Sequence, residues 1–330
     1  MRKTFKLLPV IFALLLAAGQ GCARKPALPL LPFSRLEYYS FDPASPLEDR
    51  ITVITAGLLE NYRAWDQRPD YTAYVPTASD KALLIKYLEL LPPVYERVFK
   101  ARCAGIDFIS GFMGNGVTNW VIGPGGKVYF HITLNPASLK AGLSETLTKR
   151  ERSCFKPRAG WDVSVDAGQG YKGLLYALFH EGTHGLDFAG GVTPYADETM
   201  PEYYLPYSNV SGAFVFGSWK DYYTPSERSG FYGRDKVTFY GLGGGPKLDI
   251  SEAPKLYAGL SGSGFVSLYG SRSWAEDLAE LATFGVLTGK LGQPYKIVIK
   301  TPDGSALLEP MKGPAGARAA EALGYLENIK

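Results

Sequence analysis

Tyr171-Lys172-Gly173-Leu174-Leu175-Tyr176-Ala177-Leu178-Phe179-His180-Glu181-Gly182-Thr183-His184-Gly185-Leu186-Asp187 is the stretch around which this chain is read. Its apolar entry through Leu174, Leu175, Ala177 and Leu178 predicts one helix over about 171–187. A helix turns about 100° per residue, so His180 and His184 project from nearly one line and can present two imidazoles to one ion. Glu181 lies beside that line, where its carboxylate can reach a water on the ion without occupying the ion. This is the arrangement of a catalytic Zn2+ site. Zinc brings the pKa of a bound water towards neutrality, and the glutamate takes the proton and passes it to a departing amine while the oxygen attacks a carbonyl carbon. The chain has three histidines and two fall inside this pattern, which makes chance a poor account of it. Gly182 costs about 1 kcal/mol relative to alanine in a helix interior, and close packing against a strand would explain it.

Two imidazoles do not hold a catalytic zinc; a third protein ligand is required, with one position left for water. The best candidate is Glu276, in Ser273-Trp274-Ala275-Glu276-Asp277-Leu278-Ala279-Glu280. The helix there is predicted over about 273–287, and Glu280 lies one turn further along the same face. One carboxylate could bind the metal while the other orients a histidine through its second ring nitrogen. The same letters also fit a capping box, in which Glu276 merely satisfies the first amide of the helix, and the pattern alone does not separate the two.

His180-Glu181-Gly182-Thr183-His184-Gly185-Leu186-Asp187, with Tyr269-Gly270 and Ala275-Glu276-Asp277-Leu278-Ala279-Glu280, resembles the catalytic domain of the anthrax lethal factor family, a group of gluzincin metallopeptidases. The resemblance implies His180, His184 and Glu276 as metal ligands, Glu181 as general base and Glu280 as a supporting carboxylate. It implies Tyr269, seven residues before Glu276, as a hydrogen-bond donor to the oxyanion of the attacked carbonyl. It also implies an α+β, zincin-like fold, with a twisted sheet over the metal helix and a second helical portion supplying Glu276. The long interval between His184 and Glu276 makes residues 191–268 an expected insertion that shapes or covers the cleft.

Other polar residues compete for these roles. Asp187, three places after His184, is expected to hydrogen-bond a histidine or cap the turn rather than bind metal, while Glu198 and Glu202 are the fallback ligands if Glu276 lies elsewhere. His131 sits in a predicted strand over 127–134; it could face substrate, but a lone strand histidine is more often structural.

Outward from the metal helix, Val117–Ile122 and Lys127–Leu134 read as a hairpin about Gly123-Pro124-Gly125-Gly126. Helical spacing appears over 47–64 and 81–91, the latter capped by Ser79-Asp80 and stopped by Pro92-Pro93. The Gly-, Tyr- and Pro-rich interval up to about Ser271 is expected to hold loops and short strands, and Gly241–Gly245 lacks the Lys-Ser or Lys-Thr of a phosphate loop. A strand over 295–300 and an Ala-rich helix from Pro314 close the chain. The corresponding expected division is 47–165 for an N-terminal helical and sheet part and 166–330 for the metallopeptidase core.

Arg2, Lys3 and Lys6 precede an apolar run from Leu7 to Gly19, the layout of an export signal over residues 1–21. Leu15-Leu16-Ala17-Ala18-Gly19-Gln20-Gly21-Cys22 resembles a bacterial lipobox, which implies lipidation of Cys22 and a membrane anchor in the cell envelope, the outer membrane ahead of the inner; Gly19 departs from the pattern and leaves free secretion as the alternative. Five prolines between 26 and 46 suit a tether over residues 22–46. Cys103 and Cys154 then remain in an oxidising compartment, where a disulfide between them is expected. Cleavage of the signal takes the formal charge from +3 to 0, and no basic run appears, which argues against nucleic acid. A zinc-dependent peptidase acting on a peptide or protein, endopeptidase rather than exopeptidase, is the leading expectation. A non-catalytic zinc-containing envelope lipoprotein is the alternative, and Glu181 speaks against it, because a purely structural site has no use for a base beside the ion.

Overall fold

The hairpin and the helix that carries His180 and His184 pack directly on one another. The computed structural model describes residues 30–200 and 213–330, and residues 31–330 form one compact α+β unit. In chain order its elements are α1 (Ala56–Asp66), β1 (Thr72–Ala73), α2 (Ala78–Leu88), α3 (Pro93–Arg102), β2 (Cys103–Ser110), β3 (Gly116–Ile122), β4 (Val128–Leu134), α4 (Leu143–Arg152), β5 (Phe155–Lys156), β6 (Asp162–Asp166) and α5 (Gly173–Gly190). There follow β7 (Leu248–Asp249), α6 (Ala253–Ser263), α7 (Trp274–Gly285), β8 (Lys296–Thr301), β9 (Gly304–Leu308) and α8 (Pro314–Glu327).

The main sheet has the order β1-β2-β4-β3, with β2 and β4 parallel and β3 antiparallel to β4 at the edge. Every residue of β4 is buried, which requires cover on both faces. Phe130 meets Phe99 of α3 and the backbone of α5 at Gly185, where an added Cβ would stand 2.6 Å from the ring. On the other face Tyr129, His131 and Thr133 meet Phe41, Tyr39 and Tyr62. Residues 31–46, expected to belong to a tether, are therefore part of the packed unit: Phe33 is buried and Tyr39 stacks on His131.

Helix α5 is apolar around most of its circumference and is buried accordingly, against β3 and β4 on one side and α7 on another. Gly182 abuts Phe99 and Tyr95 of α3, at 3.0 and 3.5 Å from an added Cβ, so the close strand contact belongs to Gly185 and not to Gly182. The helix ends at Gly191, whose left-handed φ of 62° lets its amide reach the Asp187 carbonyl at 2.7 Å.

Several expected boundaries move for identifiable reasons. The helical spacing over 47–64 resolves into a 3-10 turn, Leu47–Arg50, and α1, which starts after Thr55 because the threonine hydroxyl caps Leu58 N. The cap of α2 is Thr77, in a capping box with Asp80. Pro92-Pro93 ends one helix but also opens α3, since a proline at the first helical position loses no hydrogen bond. No domain boundary falls at 165/166, because β6 pairs in register with β8 across it. The expected Cys103–Cys154 disulfide is absent: both thiols are free and buried, Cys103 beside the Gly105 carbonyl and Cys154 beside that of Arg150.

Candidate metal centre

α5 carries His180 and His184 to the same point as α7 carries Glu276. His180 Nε2 lies 3.2 Å from His184 Nε2 and 3.0 Å from Glu276 Oε2, and His184 Nε2 lies 3.5 Å from that oxygen. Ser273 caps α7 by accepting the Glu276 amide at 3.2 Å, but the Glu276 carboxylate turns to the histidines instead of completing a capping box. Glu276 Oε2 is buried and has no hydrogen-bond partner among the described residues, so its distances to the imidazoles are not those of aligned hydrogen bonds.

One cation would satisfy all three atoms. Bonds of about 2.0–2.1 Å at tetrahedral angles place ligand atoms roughly 3.3 Å apart, and the three observed edges bracket that length. The donor set, two imidazole nitrogens and one carboxylate oxygen, is that of a catalytic zinc site. Burial opposes charge on Glu276, but His184 and His180 outweigh it and hold its carboxyl well below the usual carboxylate range. Burial likewise opposes a charge on His180, yet Glu276 and Glu280 on either side raise its pKa to about 10. Carboxylates thus flank His180 on both sides, Glu276 at its Nε2 and Glu280 at its Nδ1.

Glu280 sets the tautomer of His180. His180 Nδ1 donates to Glu280 Oε1 at 2.9 Å, so in the neutral form of the ring, the form that can bind a metal, the Nε2 lone pair faces Glu276 and His184. Tyr176 OH donates to the same oxygen at 2.5 Å, while Arg150 Nη1 and Ser267 OH donate to Oε2 at 2.7 and 2.5 Å. Burial would raise the pKa of Glu280, but Arg150 and His180 bring it down to about 2, so the carboxylate is a fixed anion. Arg150 is itself fully buried and also grips Glu151, whose second oxygen accepts the Tyr257 hydroxyl.

Glu181 faces the start of β3. Its Oε2 accepts the Thr118 hydroxyl at 2.8 Å, and an added Cβ on Gly116 would stand 2.8 Å from its Cγ, so only a residue without a side chain lets the strand come this close. Burial raises its pKa against the lowering influence of the histidines and Thr118, which makes the carboxylate a better proton acceptor than an exposed glutamate. Replacing Thr118 by valine removes a bond made to the charged form. The acidic limb of a kcat/KM profile, which falls as pH drops through the pKa of the base, is expected to move to higher pH in Thr118→Val, and an unmoved limb counts against Glu181 as that base.

Tyr269 lies at the cleft wall with its ring 5.5 Å from that of His180 and 4.9 Å, edge to face, from Phe239. Its hydroxyl has no hydrogen-bond partner among the described residues. Burial, with Glu276 and Glu181 adding to it, pushes its pKa well up, so the phenol keeps its proton and can only donate or accept as a neutral group. The cleft beside His180 and Glu181 is lined by Met113, Asn115, Gly116, Tyr240 and Leu242.

The remaining sequence candidates lie apart from the ligand triangle. Asp187 accepts the Thr193 amide and hydroxyl at 2.8 and 2.6 Å, so it closes the turn after α5 rather than orienting a histidine. Glu198 is exposed and accepts the Tyr223 hydroxyl, and Glu202 and Cys22 lie outside the described residues. His131 is buried on the far face of the sheet, 3.1 Å from Asp107, and does not reach the cleft. Sequence reasoning missed Thr118 and Ser267, which touch the site through Glu181 and Glu280, and Arg150 and Tyr176, which bind Glu280 and also meet the rings of Tyr269 and His180. Comparison of the chain with protein-family models, with curated proteins and with solved structures finds no match.

Proposed function

We propose that this chain is a zinc-dependent peptidase of the gluzincin type, an exported protein held in the bacterial cell envelope by a lipid on Cys22. The observation that carries the reading is the triangle of His180 Nε2, His184 Nε2 and Glu276 Oε2 with edges of 3.0–3.5 Å, with an ionisable glutamate next to it in the chain. A zinc ion held there supplies a Lewis acid for a carbonyl oxygen and a lowered pKa for a water. Glu181 takes the proton of the attacking water and returns it to the leaving amine. Tyr269 donates its hydroxyl hydrogen to the oxygen on which negative charge develops, which favours the transition state over the ground state. Glu280, clamped by Arg150, Tyr176 and Ser267, keeps His180 in the ligating tautomer.

The substrate is a peptide or protein segment. β3 is the edge strand of the sheet, and apart from a bridge between Arg35 and Ile122 its outer side is unpaired among the described strands. An extended peptide added along it would pass Thr118 and Gly116 and so reach Glu181. The purified protein is expected to cleave members of an unbiased peptide pool, to lose that activity on dialysis against a chelator and to regain it with stoichiometric Zn2+. Cleavage that survives full removal of the metal contradicts the reading.

A further inference from the structure

The cleft continues past the metal centre into a second cavity. The two share the 112–115 turn and Tyr240, and the far wall of the second is built from the 135–141 turn and α4. The charged groups in that wall are Lys140, Lys149 and Glu145. Glu145 accepts the Gly142 amide at 3.3 Å as part of the α4 cap and keeps its negative charge. Lys140 and Lys149 have neither a carboxylate at ion-pair distance nor a hydrogen-bond acceptor for their ammonium groups among the described residues; Lys140 feels Asp80 only at longer range. A concave wall with two unpaired cations against one carboxylate keeps a net positive charge that favours an anion.

Tyr240 stands where the two cavities meet. Its hydroxyl accepts Asn115 Nδ2 at 2.9 Å, across the passage. Its backbone has a φ of +55°, a conformation that side-chain-bearing residues rarely adopt and that recurs at ligand clamps. It is pinned there by its amide, which donates to Ser153 Oγ at 3.1 Å, and by its neighbour Phe239, which packs on Tyr269. The bridge is thus part of the same wall that presents the proposed oxyanion donor.

We propose that this second cavity is a carboxylate-binding subsite. Lys140 and Lys149 receive a carboxylate of the substrate, either an Asp or Glu side chain or the C-terminal carboxylate of the peptide, and the Asn115–Tyr240 bridge is the sill over which the substrate passes between metal centre and subsite. This rests on the peptidase reading and names the substrate class that the cleft selects. A charge-assisted hydrogen bond in a partly wet site corresponds to a preference of roughly tenfold, weakened by salt.

The test uses fluorogenic peptides in which Glu or Gln is walked through the positions around the scissile bond, each made with a free and with an amidated C-terminus. The wild-type protein is expected to show roughly tenfold higher kcat/KM for one carboxylate over its amide. A preference that persists with the amidated end identifies a side chain as the source, and one seen only with the free end identifies the terminus. The double variant Lys140→Gln, Lys149→Gln is expected to bring the ratio to near one. Equal cleavage of all the peptides, or a variant that keeps the wild-type ratio, overturns the subsite. Binding of the same peptides to Glu181→Gln protein, followed by fluorescence anisotropy, separates the two readings. A binding preference for the carboxylate with no hydrolysis by the wild type sinks the peptidase and leaves the subsite. Hydrolysis with neither kinetic nor binding preference does the reverse, and absence of both overturns both.

Discussion

Glu181→Gln is expected to lower kcat/KM by roughly two to four powers of ten, the range for loss of a positioned general base, while the zinc content stays that of the wild type. The amide has nearly the shape of the carboxylate and its oxygen can still accept the Thr118 hydroxyl, so the packing beneath β3 is kept. What it lacks is a lone pair basic enough to take a proton from water and later return it to an amine. The metal ligands are His180, His184 and Glu276 on this account, so the substitution leaves the triangle whole. Steady-state kinetics together with metal analysis distinguish the outcomes. Unchanged activity would remove Glu181 from the chemistry, and loss of zinc with activity would make it a ligand or a fold determinant. A wild-type protein that holds zinc and cleaves nothing favours a binding or structural role in the envelope.

Arg150→Met is the second large effect, and it acts at a distance from the reacting atoms. The guanidinium is fully buried between two buried carboxylates, Glu280 and Glu151, and its removal leaves Glu151 without its ion-pair partner and Glu280 with His180 alone. Breaking a buried ion pair by deleting one partner costs about 3–5 kcal/mol, far more than the hydrophobic gain from methionine returns. The pKa of Glu280 would then rise, and the carboxylate, left to His180, Tyr176 and Ser267, would hold the Nδ1 hydrogen of His180 less firmly in the ligating tautomer. Zinc affinity is accordingly expected to fall by roughly 10–100-fold, the usual cost of losing an outer-shell partner. Thermal unfolding and a zinc competition titration measure the two effects separately. Arg150→Lys keeps the charge but not the planar fork and should fall between wild type and Arg150→Met on both. An Arg150→Met protein with wild-type stability and zinc affinity would contradict the assigned role of the Arg150–Glu280 pair.

The parts of this structure that could be read from the letters are those in which local signals agree. The hairpin has two β-rich runs about a Gly-rich turn, and β3 and β4 lie within a residue of the expected limits. α5 has a long apolar run ended by glycine, and it forms where its periodicity puts it. α3 was hidden because Pro92-Pro93 signals a stop, whereas Pro93 is also a favourable first residue of the next helix. α4 was hidden by its charges. Leu143, Leu147 and Arg150 share one face at helical spacing, and an arginine in a core position reads as solvent-facing until its buried partners from α5 and α7 are known. α6 was lost within the Gly- and Tyr-rich interval taken for loops and short strands.

The site divides in the same way. His180, Glu181 and His184 are adjacent in the chain and their geometry follows from the helix alone. Glu276 comes from a second helix, and nothing local separates a ligand from a capping glutamate, so the pattern nominates it and only the family resemblance decides between the two roles. Thr118, Tyr176 and Ser267 act through other side chains across tertiary contacts, which leave no pattern in a single sequence.

Anomalous diffraction at the zinc edge, from crystals grown with stoichiometric Zn2+, tests the central claim most directly. One peak is expected within about 2.0–2.2 Å of His180 Nε2, His184 Nε2 and a carboxylate oxygen of Glu276, with no fourth protein ligand. A peak bound elsewhere, a fourth side chain closing the site, or no peak at full zinc occupancy of the solution would contradict it.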